Sequence, residues 1–139
     1  METVDLKHAA VTAALATLKE SLMLLKGSNL TSHLHDAFRD SVIKRFEYSM
    51  DTFCKYLRKY LEREHGIMFS KFSINATFRE CLNVRLIDLV EFDLLLAMMH
   101  DTNSGTHVHN EELARGISNR VYTYYDLMNT LVEKTKNTF

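Results

Sequence analysis

The feature that most limits how this chain can fold is its near-complete lack of helix-breaking residues. The 139 residues include no proline and only four glycines. Apolar residues between the glycines recur at alternating steps of three and four, a spacing that places their side chains on one face of an α-helix. We therefore expect an all-α protein, an up-and-down helical bundle of four long helices plus one short helix, in a single domain spanning residues 1–139.

The apolar spacing and the turn-forming residues predict where the helices lie. The expected helices cover about 3–25, 33–64, 74–84 and 86–101, and a fifth begins at Asn110. On the second helix the apolar stripe starts at Leu34, and on the fifth helix it starts at Leu113. Glycine suits the end of a helix, and serine or asparagine suits its N-cap. The residues expected in these roles are Gly27, Ser32, Gly66, Ser73 or Asn75, and Asn110.

Composition excludes several classes of protein. The formal net charge is −1, so no overall basic field attracts nucleic acid, and any RNA contact requires a local patch. The start of the chain lacks the basic and apolar regions of a secretory signal, and no apolar run is long enough to span a membrane. We expect a cytoplasmic protein that makes no membrane contact. Cys54 and Cys81 have no metal-binding spacing and are interpreted as reduced thiols in or near the core.

The stretch richest in chemistry lies between the fourth and fifth helices, at residues 98–113. It holds three of the seven histidines and one of the four glycines. Titratable side chains clustered between two packed helices are typical of a site. The alternative is purely structural, since His107 can fix a turn through backbone hydrogen bonds, and Asp101 and Asn103 can end a helix. The candidate site residues are Asp101, Thr102, Asn103, His107 and His109.

A metal site in this stretch is a separate hypothesis. His107 and His109 are two positions apart, with His100 and Asp101 nearby in the sequence, and zinc accepts such ligands. However, the stretch lacks a strong ligand motif such as His-Glu-x-x-His. We expect neither a metal nor another cofactor.

A basic face on the second helix is a further candidate binding surface. Lys55 and Arg58 are its central members, and both lie at helical spacing with neighbouring basic residues. The face is either solvated or contacts RNA, nucleotide or an acidic partner. Its members are Arg39, Lys44, Lys55, Arg58, Lys59 and Arg63. On the fifth helix, Tyr122, Tyr124 and Tyr125 are expected to pack in the core or an interface.

Several motifs resemble those of a known family. Residues 45–48 (RFEY) and 55–61 (KYLRKYL) resemble the second-helix signature of the nucleotidyltransferase substrate-binding proteins, which belong to the HEPN superfamily. Residues 78–82 (FRECL) resemble the short third helix of that family. Residues 101–107 and 110–114 (NEELA) resemble the turn that carries its site. The resemblance extends from about residue 36 to residue 131.

This resemblance implies a helical bundle, often dimeric, whose site turns meet at the dimer interface. Family members are partners of minimal nucleotidyltransferases, and active members are metal-independent RNA-cleaving toxins of toxin–antitoxin pairs. The family turn carries an arginine, four residues, a histidine and, two residues later, a tyrosine that the partner can modify. Here the histidine matches His107, but the arginine position is Thr102 and the tyrosine position is His109.

The threonine at position 102, where the resembled family carries an arginine, affects the expected chemistry. Cleavage of RNA through its own 2′-hydroxyl requires a base near that hydroxyl and positive charge at the phosphate. His107 suits the first role, because imidazole titrates near neutral pH. Thr102 is neutral, and loss of one preorganised charge-stabilising donor typically costs on the order of 10²–10³ in rate.

We therefore expect a partner or substrate-binding subunit of a minimal nucleotidyltransferase rather than an enzyme. It is expected to be catalytically disarmed, to form a homodimer or a hetero-oligomer, and to bind nucleotide, RNA or the partner through residues 101–109. The main alternative is a ribonuclease toxin that uses His107 without the arginine. A purely structural helical interaction module is a third hypothesis.

Overall fold

The structure is a computed structural model that describes residues 2–28, 33–70, 73–105 and 110–136. These residues form five α-helices, and none of them lies in a strand. The prediction of an all-α bundle with four long helices and one short helix is confirmed. The helices are α1 (Glu2–Lys26), α2 (His33–His65), α3 (Ile74–Asn83), α4 (Leu89–Gly105) and α5 (Glu111–Lys136).

The central helix of the bundle is α2, which packs against each of the other four helices. α1 runs antiparallel to α2. This direction follows from two hydrogen bonds: the Ser49 hydroxyl donates to the Ala14 carbonyl, and the Arg45 guanidinium donates to the Thr17 carbonyl. The residue numbers of the bonded partners increase along α2 and decrease along α1, as expected for neighbouring helices joined by a short connection.

α5 runs parallel to α2 and is in direct contact with it. The ring of Phe46 stacks on Tyr124, and nearer the end of both helices the Tyr56 hydroxyl shares a 2.5 Å hydrogen bond with Thr135. α4 packs on α2, α3 and α5, whereas α4 and α1 make no helix-to-helix contact in the described parts of the chain. One side of α4 is therefore left uncovered by the bundle.

The core is built from the stripes that the spacing predicts. Its largest fully buried side chains come from all five helices: Tyr56, Tyr124, Phe46, Phe53, Phe78, Leu18, Met50, Leu57, Leu61, Leu95, Met98 and Ile117. Cys54 and Cys81 are buried and unpaired, as expected, and burial raises the pKa of the Cys81 thiol to about 12.

Three predicted positions are wrong. Leu34 and Leu113 are 65% and 45% exposed, because each lies in the first turn of its helix, at the edge of the bundle. Arg39, predicted on the solvated face of α2, is instead buried. Its guanidinium lies within 4 Å of three carboxylates, those of Asp36, Asp40 and Glu111. The pair with Glu111 joins the start of α2 to the start of α5.

The helix ends follow the predicted signals in several places. Gly66, with φ of +64°, follows α2 in the left-handed conformation that glycine adopts without strain. The Ser73 hydroxyl accepts from the Ala76 amide at the start of α3. The Asn110 side chain accepts from the Leu113 amide at the start of α5. Ser32 lies outside the described residues.

α4 begins and ends later than predicted. Asp88 and Glu91 form a capping box, in which each side chain accepts a hydrogen bond from the other residue's backbone amide. At its other end the helix continues to Gly105 rather than stopping near Asp101. Asp101 does not end the helix, because its carboxylate is bound by side chains of α5 and does not compete for its own backbone.

None of the described helices contains a stretch long and apolar enough to cross a lipid bilayer.

Candidate functional site

A partly buried ion pair joins the last turns of α4 to the middle of α5. The Asp101 carboxylate accepts two hydrogen bonds from the Arg120 guanidinium, at 2.7 Å from Nε and 2.9 Å from Nη2. The Tyr124 hydroxyl donates a third, at 2.5 Å, to the same carboxylate. We call these three residues the Asp101 cluster. Two parallel N–H···O bonds from one guanidinium fix both position and orientation of the arginine.

The cluster shifts the pKa values of its members. Burial by itself raises the pKa of the Asp101 carboxyl, but the hydrogen bonds from Arg120 and Tyr124 outweigh burial and hold the pKa below its usual range. Burial and the hydrogen bond to Asp101 raise the pKa of the Tyr124 phenol to about 12. The hydrogen bonds to Asp101 raise the pKa of Arg120. At neutral pH the cluster therefore holds one carboxylate, one guanidinium and one neutral phenol.

Arg120 spans the boundary between this cluster and solvent. The Asp101 side chain is 6% exposed, whereas the Arg120 side chain is 48% exposed. The outer part of Arg120 lines a groove of about 350 Å³ at the start of α5. The other lining residues are Asn110, Glu112, Leu113 and Gly116.

Gly116 lies beside the guanidinium of Arg120. A Cβ atom placed on Gly116 comes 3.4 Å from Nη1 of Arg120, one turn further along α5. The arginine therefore lies across the helix surface at the glycine, with Nε and Nη2 bonded to Asp101 and Nη1 on the groove side.

The structure places only part of the predicted site. Asp101, Thr102 and Asn103 lie in the final turns of α4, not in a turn between helices. The Thr102 hydroxyl donates to the Met98 carbonyl of its own helix at 2.8 Å, and the Asn103 side chain is exposed. His107 and His109 lie outside the described residues.

The basic face of α2 is not brought to the Asp101 cluster. Phe46 stacks on Tyr124 and so marks the level of the cluster along α2. Lys55 and Arg58 come nine and twelve residues later, which is about 13 and 18 Å along the helix axis. Lys55 pairs with Asp51 at 3.0 Å, and Arg58 pairs with Glu62 at 3.2 Å. The Lys55–Asp51 pair is exposed, which is typical of a solvated helix face. The Arg58 side chain is only 21% exposed, and its guanidinium lies 5.2 Å from the centroid of the Phe69 ring.

The tyrosines of α5 pack as predicted. Tyr124 is in the core, and the Tyr122 hydroxyl donates to the Leu22 carbonyl of α1 at 3.1 Å. In the described parts of the chain, no three His, Cys, Asp or Glu side chains lie close enough together to share a metal ion.

Sequence reasoning missed Arg120. The one available signal is the pair formed by Gly116 and Arg120: a glycine inside a helix followed, four residues later, by an arginine. That spacing places a long side chain over a position that has none. The partner of the arginine, Asp101, is 19 residues away on another helix, so no local pattern connects the two.

Comparison with known proteins agrees with this architecture. The family described as "Nucleotidyltransferase substrate binding protein like" matches residues 6–137. This chain belongs to that family. A protein of Thermus thermophilus known from its crystal structure is 34% identical, with a TM-score of 0.77 over 90% of this chain and 98% of that one. No protein of curated function matches the sequence.

Proposed function

We propose that this protein is the substrate-binding or partner subunit of a minimal nucleotidyltransferase, that it is a single HEPN-like domain, and that it is catalytically disarmed. The observation that carries the proposal is the family match over residues 6–137. That match covers α2 to α5 completely and α1 from residue 6 onwards, so the residues that build the Asp101 cluster fall within the region shared with the family.

The end of α4 supports the loss of catalysis. Where the resembled family carries an arginine, this chain has Thr102, whose neutral hydroxyl donates to a backbone carbonyl. Such a side chain supplies no positive charge to a reacting phosphate. The guanidinium in this region belongs to Arg120, and it is bonded to Asp101. We propose that the end of α4 and the residues that follow, 101–109, bind nucleotide, RNA or the partner without cleaving RNA.

The partnership is tested by co-expression with a minimal nucleotidyltransferase from the same genome. Light scattering on the purified mixture is expected to give a stable complex heavier than either protein alone. Separate elution of the two proteins at micromolar concentration, with no nucleotidyltransferase retained, contradicts the proposed partnership.

The loss of catalysis is tested with a generic single-stranded RNA and no metal. Wild type, Thr102→Arg and His107→Ala are compared side by side. We expect no cleavage by wild type or His107→Ala, and gain of cleavage in Thr102→Arg, because that variant restores the missing charge. Cleavage by wild type that disappears in His107→Ala supports instead the ribonuclease toxin.

A further inference from the structure

A small pocket lies in the groove between the second half of α1 and the middle of α5. Its volume is about 190 Å³, and its apolar part is formed by Leu22, Met23, Tyr122 and Tyr125. The Tyr122 hydroxyl donates to the Leu22 carbonyl at 3.1 Å, which joins the two walls. Sites for drug-sized molecules are larger, roughly 300–1,000 Å³. The pocket therefore suits one side chain of another protein better than a small-molecule ligand.

The side chains at the pocket are of the types that protein interfaces favour. Met23 is 65% exposed although it lies beside the core residue Leu22, and Tyr122 and Tyr125 are half-buried. Methionine and tyrosine are enriched at interfaces, whereas lysine is depleted at their centres. Here the lysines lie at the edge of the pocket and the apolar residues form its floor, as in an interface that receives an apolar side chain.

The charged edge of the pocket lies on α1. Lys19 and Lys26 both line the pocket and are seven residues apart, which is about 10 Å along the helix axis. Both are exposed, and in the described ranges of the chain neither forms an ion pair with a carboxylate. Asp126 is the one carboxylate among the described lining residues, and it belongs to the α5 wall. The α1 edge therefore carries two positive charges that the protein does not compensate by an ion pair.

Lysines elsewhere in the chain are compensated in this way. The lysines that pair with a carboxylate of their own helix are Lys55, Lys59 and Lys136. This contrast favours acidic groups of a partner as the counterpart of Lys19 and Lys26.

We propose that the groove between α1 and α5 docks an acidic amphipathic helix of the nucleotidyltransferase partner. One large apolar side chain of that helix fills the pocket, and carboxylates on either side of it meet Lys19 and Lys26. A helix presents residues three or four positions apart on one face, so two carboxylates about seven residues apart, with an apolar residue between them, match the spacing of the lysines.

This inference rests on the proposed function and deepens it by naming a docking surface and the chemistry of the segment that it receives. The surface is separate from the end of α4. In the described parts of the chain α4 does not contact α1, so the α1–α5 groove and α4 lie on different sides of α5.

The charges are tested by calorimetry with the nucleotidyltransferase from the same genome. The double variant Lys19→Glu, Lys26→Glu should bind at least about tenfold more weakly, because each change replaces an attraction by a repulsion, and most of the loss should lie in the association rate. Added salt should weaken binding of wild type more than that of the double variant. The matched control is Lys44→Glu, an exposed lysine of α2, which should stay within about twofold of wild type.

The pocket is tested by Met23→Asp, which should weaken binding at least about tenfold by placing a charge at the apolar centre. Its matched control is Met68→Asp, because Met68 is 94% exposed and does not line the pocket. Asp126→Asn removes the negative charge from the α5 wall and should strengthen binding a few-fold, a gain that misfolding cannot produce. Unchanged affinity in the lysine and methionine variants, or equal losses in the controls, overturns the proposal.

A peptide probe separates this inference from the proposed partnership. It is a synthetic helical peptide with a central leucine and glutamates three or four residues to either side, and its control carries lysines in place of the glutamates. We expect only the acidic peptide to shift the ¹³C-methyl signal of Met23.

Each combination of results has one meaning. A Met23 shift without a complex with the nucleotidyltransferase contradicts only the partnership. A complex that forms equally well with all groove variants contradicts only the docking surface, and neither shift nor complex contradicts both. A single-stranded RNA that shifts Met23 as strongly as the acidic peptide, or self-association that is lost in Met23→Asp, overturns the choice of occupant.

Discussion

Asp101 and Arg120 are unequal partners, because one is buried and the other reaches the surface. Removal of the guanidinium leaves a buried carboxylate with a single hydrogen bond from Tyr124, whereas removal of the carboxylate leaves an arginine that water can reach. We expect Arg120→Met to lower the free energy of unfolding by about 2 kcal/mol or more, and Asp101→Asn by roughly half as much. Urea denaturation at pH 7 measures both. Equal losses, or a larger loss in Asp101→Asn, contradict this asymmetry.

Tyr124 makes the free energy of unfolding depend on pH in the alkaline range. Its folded pKa of about 12 lies above the value of about 10 for a free phenol. A raised folded pKa means that the stabilisation is fully present below pH 10 and is lost as pH rises towards 12. Tyr124→Phe removes this group, so its unfolding free energy should fall less steeply across that interval than that of wild type. The control is Tyr48→Phe, whose residue is 59% exposed and should retain the wild-type slope.

At the scale of the helix, we expect replacement of glycine by alanine to have opposite effects on stability at Gly116 and at Gly66. Gly116 lies inside α5, where a Cβ meets only Nη1 of Arg120 at 3.4 Å, so Gly116→Ala should stabilise by about 0.5–1 kcal/mol through helix propensity. Gly66 has φ of +64°, so Gly66→Ala should destabilise by about 1 kcal/mol despite open space around it. Thermal unfolding of the two variants checks the signs, and a shift in the same direction contradicts the argument.

α4 is the helix whose apolar content differs most from what its burial in the bundle would require. All of its residues from 89 to 99 except Glu91 and Asp93 are apolar, a content typical of a helix that is buried on most sides. Yet among the side chains of residues 89–103, which the structure describes, only Leu95, Met98 and Asp101 are buried, and Leu89 and Val90 are 68% and 76% exposed. In the described parts of the chain, α1 does not reach the far side of α4. A surface of this kind is typical of an interface with another protein.

At the scale of the whole molecule, this surface predicts self-association through α4. Light scattering should give wild type a mass near twice the 16.2 kDa of one chain. Leu89→Asp should shift the protein towards monomer, because a charge in an apolar interface is costly. The matched control is Leu6→Asp on α1, where the leucine is equally exposed at 69%. A monomeric wild type, or dissociation caused equally by both variants, contradicts an interface at α4.

Fold class and most helix bounds, those of α4 excepted, followed from sequence alone, because they depend on neighbouring residues. The absence of proline, the apolar stripes and the turn signals at Gly66, Ser73 and Asn110 act within one or two helical turns. The family resemblance added the expected partner, and the family match confirms that resemblance. The cluster of titratable residues and the family resemblance also identified Asp101 as a residue of interest, although they placed it where the fourth helix ends rather than inside that helix.

Only the tertiary structure decided which charges are buried and with whom they pair. The sequence pattern places Arg39 on a solvated face and does not mark Arg120 at all. In the structure, a carboxylate from a neighbouring helix pairs with each of them. Spacing along a helix gives the direction of a side chain around its own axis. It does not give the rotation and offset of the next helix, and these are set by packing of the whole core. The pairing of Asp101 with Arg120, and the groove beside it, exist only because α4 and α5 pack antiparallel at one particular offset.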